Sequence, residues 1–243
     1  MDKLDFGSIV FTRKESRIMK TNKLCLLMCG LLASLLVSCG PGQMLGPTLT
    51  PTQTPSPTPT MIPTLTPFPT IIFQDNFSDA SSGWSSGKGN FGWASYDGGS
   101  YLVNGTMQGA LFWGLLENRT FRDVVIDVDV TWVDTPTETS AFGVGCRSEY
   151  DFVISADDTA LIFYDTTGNF EAIAEQDISR VGVLLNRTGV NRVRVICNKD
   201  RLALYLNDGF VVHVTDKRAF TGQIFLGASD AKVRFDNLQI FSP

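Results

Sequence analysis

Between residues 71 and 243 apolar side chains return at every second position, and that period confines the chain to β structure. Across 124–132, Ile126, Val128, Val130 and Trp132 share one face while Asp127, Asp129 and Thr131 share the other. Arg192-Val193-Arg194-Val195 and the run 201–206 alternate in the same way. Further strands are predicted at 101–104, 107–113, 141–147, 152–156, 161–164, 170–174, 210–214, 223–228 and 232–240. Turn chemistry separates them at Asp97-Gly98-Gly99, Asn104-Gly105, Thr167-Gly168-Asn169 and Asn207-Asp208-Gly209. No segment sustains a 3.6-residue period. The prediction is an all-β domain, a two-sheet antiparallel sandwich of jelly-roll type with minimal helix.

The first 70 residues obey different rules. Lys20 and Lys23 precede a 14-residue apolar run from Leu24 to Val37, which suits the core of a secretory signal and is short for a membrane-spanning helix. It ends in Leu36-Val37-Ser38-Cys39, which resembles the bacterial lipobox. That resemblance implies cleavage before Cys39 and acylation of its thiol. Residues 1–38 then form a leader, and Met19-Lys20-Thr21-Asn22-Lys23 is the expected true start. Nine of the eleven prolines and nine threonines fall within 41–70. Such a tract buries too little apolar surface to fold, so residues 39–70 are expected to be a lipidated N-terminus and extended linker reaching up to roughly 90 Å. Residues 71–243 form the folded domain.

The domain carries 14 Lys and Arg against 22 Asp and Glu, a net charge of −8, which argues against nucleic acid as a partner. It holds two cysteines, Cys146 and Cys197, both on alternating segments. For an exported chain the expectation is a disulfide between them.

Several segments carry a family resemblance: Asp75-Asn76-Phe77-Ser78-Asp79 with Ser82-Gly83-Trp84, Phe142-Gly143-Val144-Gly145-Cys146-Arg147 with Tyr150-Asp151-Phe152, Arg201-Leu202-Ala203-Leu204-Tyr205-Leu206-Asn207-Asp208-Gly209, and Arg234-Phe235-Asp236-Asn237-Leu238. In this order they resemble concanavalin A-like lectin/glucanase jelly rolls, especially the branch with the 3-keto-disaccharide hydrolase-like domain of bacterial surface proteins. The resemblance implies the fold and is nearly silent about the ligand. It also implies a structural calcium between Asp75 and Asp236, set against the alternative that both carboxylates bond local turn amides. No other cofactor is expected.

Asp127 and Asp129 are the nearest approach to a catalytic carboxylate pair, about 6.5–7 Å apart at strand spacing. Related glucanases carry a Glu-x-Asp-x-x-Glu pattern on one strand, which this Asp-x-Asp lacks, so a solvated strand face is the reading preferred. His213, the one histidine, sits in an ordinary strand. Sugar recognition calls for aromatic platforms beside polar groups, and the candidates are Trp113, Arg147, Tyr150, Tyr164 and Tyr205. Arg147 is expected to leave the core, and Trp84 and Trp93 to cap it. The functional expectation is an exported, membrane-anchored lipoprotein facing the exterior or periplasm and binding a polysaccharide or other glycan. The alternatives are a glycoside hydrolase or lyase, and an adhesion module binding protein.

Overall fold

A computed structural model describes residues 69–166 and 169–243; the leader, Cys39, the Pro/Thr linker and the turn residues Thr167 and Gly168 lie outside the described residues. The chain forms two antiparallel sheets. The larger contains β1 (Thr70–Asp75), β2 (Gly87–Gly89), β3 (Gly92–Tyr96), β4 (Tyr101–Gly105), β6 (Val124–Trp132), β11 (Asn191–Asn198), β12 (Arg201–Leu206), β13 (Gly209–Thr215) and β15 (Ala231–Ser242). The smaller contains β5 (Phe112–Leu115), β7 (Ala141–Cys146), β8 (Tyr150–Ser155), β9 (Thr159–Thr166), β10 (Asn169–Asp177) and β14 (Phe225–Ser229). The only helical turn among the described residues, Ile178–Val181, is capped by the Asp177 carboxylate and ends at Gly182 in the left-handed region.

Strand order is β13-β12-β11-β6-β15-β4-β3-β2 in the larger sheet and β10-β9-β8-β7-β14-β5 in the smaller. The 12-residue β15 is the hub. On one side it pairs with β6, and on the other its first half takes β4 and its second half β1. A bulge between Asp236 and Gln239 bends it where Asn237 adopts a positive φ of 50°. The predicted strand at 107–113 is displaced: Gly109 turns at φ 71° and the strand begins at Phe112. Three strands also form where no alternation was legible, β1, β2 and β3, because a sheet partner supplies what a short run of consecutive apolar residues in β1 and glycine-containing segments in β2 and β3 do not signal.

The core follows from parity. Ile126, Val128, Val130 and Trp132 of β6 point inward to meet Phe142, Val144, Cys146, Phe152 and Ile154 of the smaller sheet. Each such side chain, fully buried, contributes about 1.5–3 kcal/mol. Trp84 closes one end against Phe77 and Tyr101, as expected. Trp93 does not: it lies on the outer face of β3, half-buried, with the Lys232 ammonium 5.6 Å from its ring. Cys146 of β7 and Cys197 of β11 form the disulfide, which ties the two sheets together.

Candidate functional site

The outer face of the smaller sheet breaks the usual rule that a sandwich shows polar residues to the outside. In β8, Tyr150, Phe152 and Ile154 enter the core, so Asp151 and Val153 point out. In β9 the outward positions are Leu161, Phe163 and Asp165; in β14 Phe225 and Gly227; in β7 Ala141, Gly143 and Gly145; in β5 Trp113 and Leu115. The apolar members make a second cluster that the core does not touch, with Leu111 and Phe170 completing it.

Register places these side chains in two rows. One runs Trp113, Gly227, Gly143, Val153; the next runs Leu115, Phe225, Gly145, Asp151, Phe163. The glycines let the rings lie on the backbone. A Cβ at Gly143 would fall 2.6 Å from Trp113 Cη2, and one at Gly227 or Gly145 would overlap the Trp113 or Phe225 ring. The two rings meet edge to face, with centroids 4.9 Å apart.

Two polar groups interrupt this floor. Asp151 is 1% exposed and its Oδ2 has no hydrogen-bond partner; Trp113, 6% exposed, has an indole Nε1 in the same condition. Burial, and secondarily the charge of Asp165, pushes the Asp151 carboxyl well above the usual carboxylate range. Asp165 follows Phe163, the register partner of Asp151, on the same outward parity. Burial therefore biases Asp151 towards its neutral form, and two carboxyl groups stand as diagonal neighbours on one face.

The candidates read from sequence are scattered. Trp113 lies in this floor. Arg147 does not leave the core: its side chain is wholly buried at the end of β7, where Arg147 and Ser148 take positive φ values of 56° and 62° and the chain turns back inward. Its guanidinium donates to the carbonyls of Arg122 at 2.7 Å, Lys199 at 2.8 Å and Ala219 at 3.1 Å, and to Asp123 Oδ1 at 3.0 Å. Tyr150 is buried in the core and donates to Asp216 at 2.7 Å, while Ala219 N donates to its hydroxyl. Tyr164 faces inward beside it, with the Arg218 guanidinium 3.9 Å above its ring. Tyr205 is on the far side of the molecule, on the outer face of the larger sheet beside Phe210.

Asp127 and Asp129 also belong to that outer face of the larger sheet. Asp127 accepts two 2.6 Å bonds from Arg194, with Arg192 at 3.6 Å, and Asp129 accepts from Asn237 at 3.0 Å. A carboxylate held by a bidentate guanidinium is a poor acid and a poor nucleophile. Asp75 and Asp236 are not brought together either. Asp75 turns inward and accepts from Phe77 N, the Ser82 hydroxyl and Trp84 Nε1, whereas Asp236 stands opposite Asp129 and accepts from Asn237 N. Among the described residues no group of three or more His, Cys, Asp or Glu is placed to hold a metal. His213 is exposed on β13, its ring 5.7 Å from Phe210.

Asp151, Asp165, Phe163 and Phe225 were not singled out from sequence. A signal was present in the parity of β7: glycine at both Gly143 and Gly145, opposite an all-apolar inward face, marks a strand over which something must lie flat.

Comparison with known proteins agrees with this architecture. The carbohydrate-binding module CBM66 from Bacillus subtilis superposes with a TM-score of 0.55 at 21% identity, over 66% of this chain and 96% of that one. A protein of unknown function with a galectin-like fold, also from Bacillus subtilis, gives 0.55 at 12% identity over 72% and 98%. The endo-beta-1,3-glucanase from Pyrococcus furiosus gives 0.50 at 12% identity over 72% and 94%. At these identities the likeness is one of fold. A search of curated proteins found no match. Residues 74–241, however, match a family profile across nearly the whole folded domain, and the chain belongs to the family of the 3-keto-alpha-glucoside-1,2-lyase-like domain.

Proposed function

We propose that the jelly-roll domain is a glycan-binding head, borne on a lipoprotein that is exported, cut before Cys39 and anchored through that thiol, with residues 39–70 as the spacer. The observation that carries the binding reading is the pair of unpartnered polar atoms among aromatic side chains on the outward side of the smaller sheet; both atoms are buried, so a sugar must displace what covers them. Trp113 Nε1 can only donate, whereas the Asp151 carboxyl, biased towards its neutral form, can donate as well as accept. A sugar presents hydroxyls that do both, on a ring whose C–H faces stack on aromatic side chains. Family membership and the likeness in fold to a carbohydrate-binding module support the same ligand class.

The test is a glycan array probed with the full chain, followed by calorimetry on each hit. Trp113→Ala and Asp151→Ala are expected to weaken binding about ten-fold or more, the equivalent of one lost hydrogen bond to a buried group. Absence of binding to any glycan overturns this reading, and capture of a polypeptide on the same face would favour the adhesion alternative. For the anchor, palmitate labelling of wild type and Cys39→Ser decides: label persisting in the variant refutes acylation at that thiol.

A second reading has its own observation, the diagonal carboxyl pair Asp151 and Asp165, of which Asp151 is biased by burial towards its neutral form. Acid–base cleavage of a glycosidic bond uses two carboxyl groups on one face, one of them kept neutral. This relocates the enzymatic alternative from Asp127 and Asp129 to the smaller sheet. Turnover abolished in Asp151→Asn while affinity is retained would establish it.

A further inference from the structure

An open cavity of about 240 Å³ lies where the loop between β6 and β7 meets the turn between β14 and β15. One wall is braced. Asp230, at φ 46°, accepts from the hydroxyls of Thr137 and Thr139, while Ser140 Oγ donates to the Asp230 carbonyl at 2.7 Å and accepts from Thr137 N at 3.0 Å. Asn104, Thr106, Lys232 and Asp134 are also among the cavity's lining residues. Within the described residues no side-chain hydrogen bond or ion pair engages Asn104, Thr106 or Asp134. Register sets Asn104 beside Lys232, on the strands that bound the cavity.

The walls restrict the ligand. Asp134 and Asp230 oppose an anion, Lys232 opposes a cation, and no metal-ligand cluster exists among the described residues. What remains is a neutral molecule rich in hydroxyls: the Asp134 carboxylate accepts, Lys232 donates, Asn104 and Thr106 do both, and Pro136 offers apolar surface. The volume is below the roughly 300–1,000 Å³ of sites for drug-sized ligands, which suits a single ring. We propose that this cavity is a second carbohydrate site, taking one neutral sugar ring at the end or branch of a glycan and separate from the outer face of the smaller sheet. The ligand class follows from the cavity's own walls, so this site and the smaller sheet stand or fall independently.

The experiment is titration of the ¹⁵N-labelled full chain with glucose, galactose, mannose and fructose in turn, at millimolar concentrations. At least one sugar is expected to shift the amides of Asn104, Thr106, Asp134 and Lys232 saturably while those of Asp151 and Phe225 stay still. Asn104→Ala and Asp134→Ala should each weaken that binding about ten-fold, the loss of one hydrogen bond. Trp113→Ala should leave it unchanged. Unaltered spectra elsewhere verify that the variants fold, and Asn104→Ser supplies a milder replacement. No shift with any sugar, shifts confined to the smaller sheet, or unchanged affinity in both alanine variants would each overturn the assignment.

Discussion

Replacing Arg147 with methionine removes a charge without removing much volume, and it isolates what the buried guanidinium does. Its four hydrogen bonds gather the segment before β6, the turn between β11 and β12 and the loop around Ala219 onto the end of β7. Without it three carbonyls lose a charged donor, and Asp123 keeps the 2.7 Å bond from Lys199 N and an exposed 3.9 Å ion pair with Arg122. Truncating one partner of a buried charged cluster costs about 3–5 kcal/mol. For a domain of this size each kcal/mol lowers the melting temperature by about 2–4 °C, so the drop should be on the order of 10 °C. Arg147→Lys should recover little, because one ammonium cannot reach four acceptors that a planar fork addresses together. Urea unfolding and calorimetry of the three proteins give the comparison. A melting temperature for Arg147→Met within about 3 °C of wild type would refute the view that this residue clamps the loops.

Reduction of the Cys146–Cys197 disulfide, which spans 51 residues, should cost about 4 kcal/mol on the chain-entropy model, read as a lower urea midpoint in reductant. Gly227→Ala should destabilise by about 1–3 kcal/mol and shift Trp113 fluorescence, because the ring must move off the backbone to regain contact distance; an unchanged spectrum counts against the flat packing. Because Asp151 has a folded pKa above its unfolded value near 3.9, the native state binds the extra proton, and stability should fall as pH rises from about 4 towards that folded value. Asp151→Asn should therefore be more stable than wild type at pH 7 and lack this slope in a pH series of melting curves. Asp216 runs the opposite way: burial favours its neutral form, but Arg218 and the Tyr150 hydroxyl overcome that and hold it at about 2. Its contribution is present above about pH 4 and should be lost as pH falls through 2, a dependence that Arg218→Gln should weaken.

The fold was legible wherever a strand buries one face and not the other. In β6, β11 and β12 the alternation is unbroken, and each lies in the larger sheet with the predicted side inward. It failed at β1, β2 and β3, short segments without clear alternation that are strands because β15, β3 and β4 pair with them. The candidate site was harder to read. Trp113 was found as an aromatic, but nothing local shows that Asp151, Phe163 and Phe225 stand beside one another, since they come from three strands whose adjacency is set by register. Arg147 was misassigned because parity stops applying where two consecutive residues take positive φ.

Periodicity and turn chemistry alone determined that residues 71–243 make a two-sheet sandwich, because a period of two admits only strands and each strand declares its inner face. Only the tertiary structure decided which outward faces carry chemistry. Asp127 and Asp151 are both acids on alternating strands, yet one is neutralised by Arg194 and the other is desolvated on an aromatic floor. That difference arises from the neighbouring strands, and a strand's own residues do not encode its neighbours' side chains.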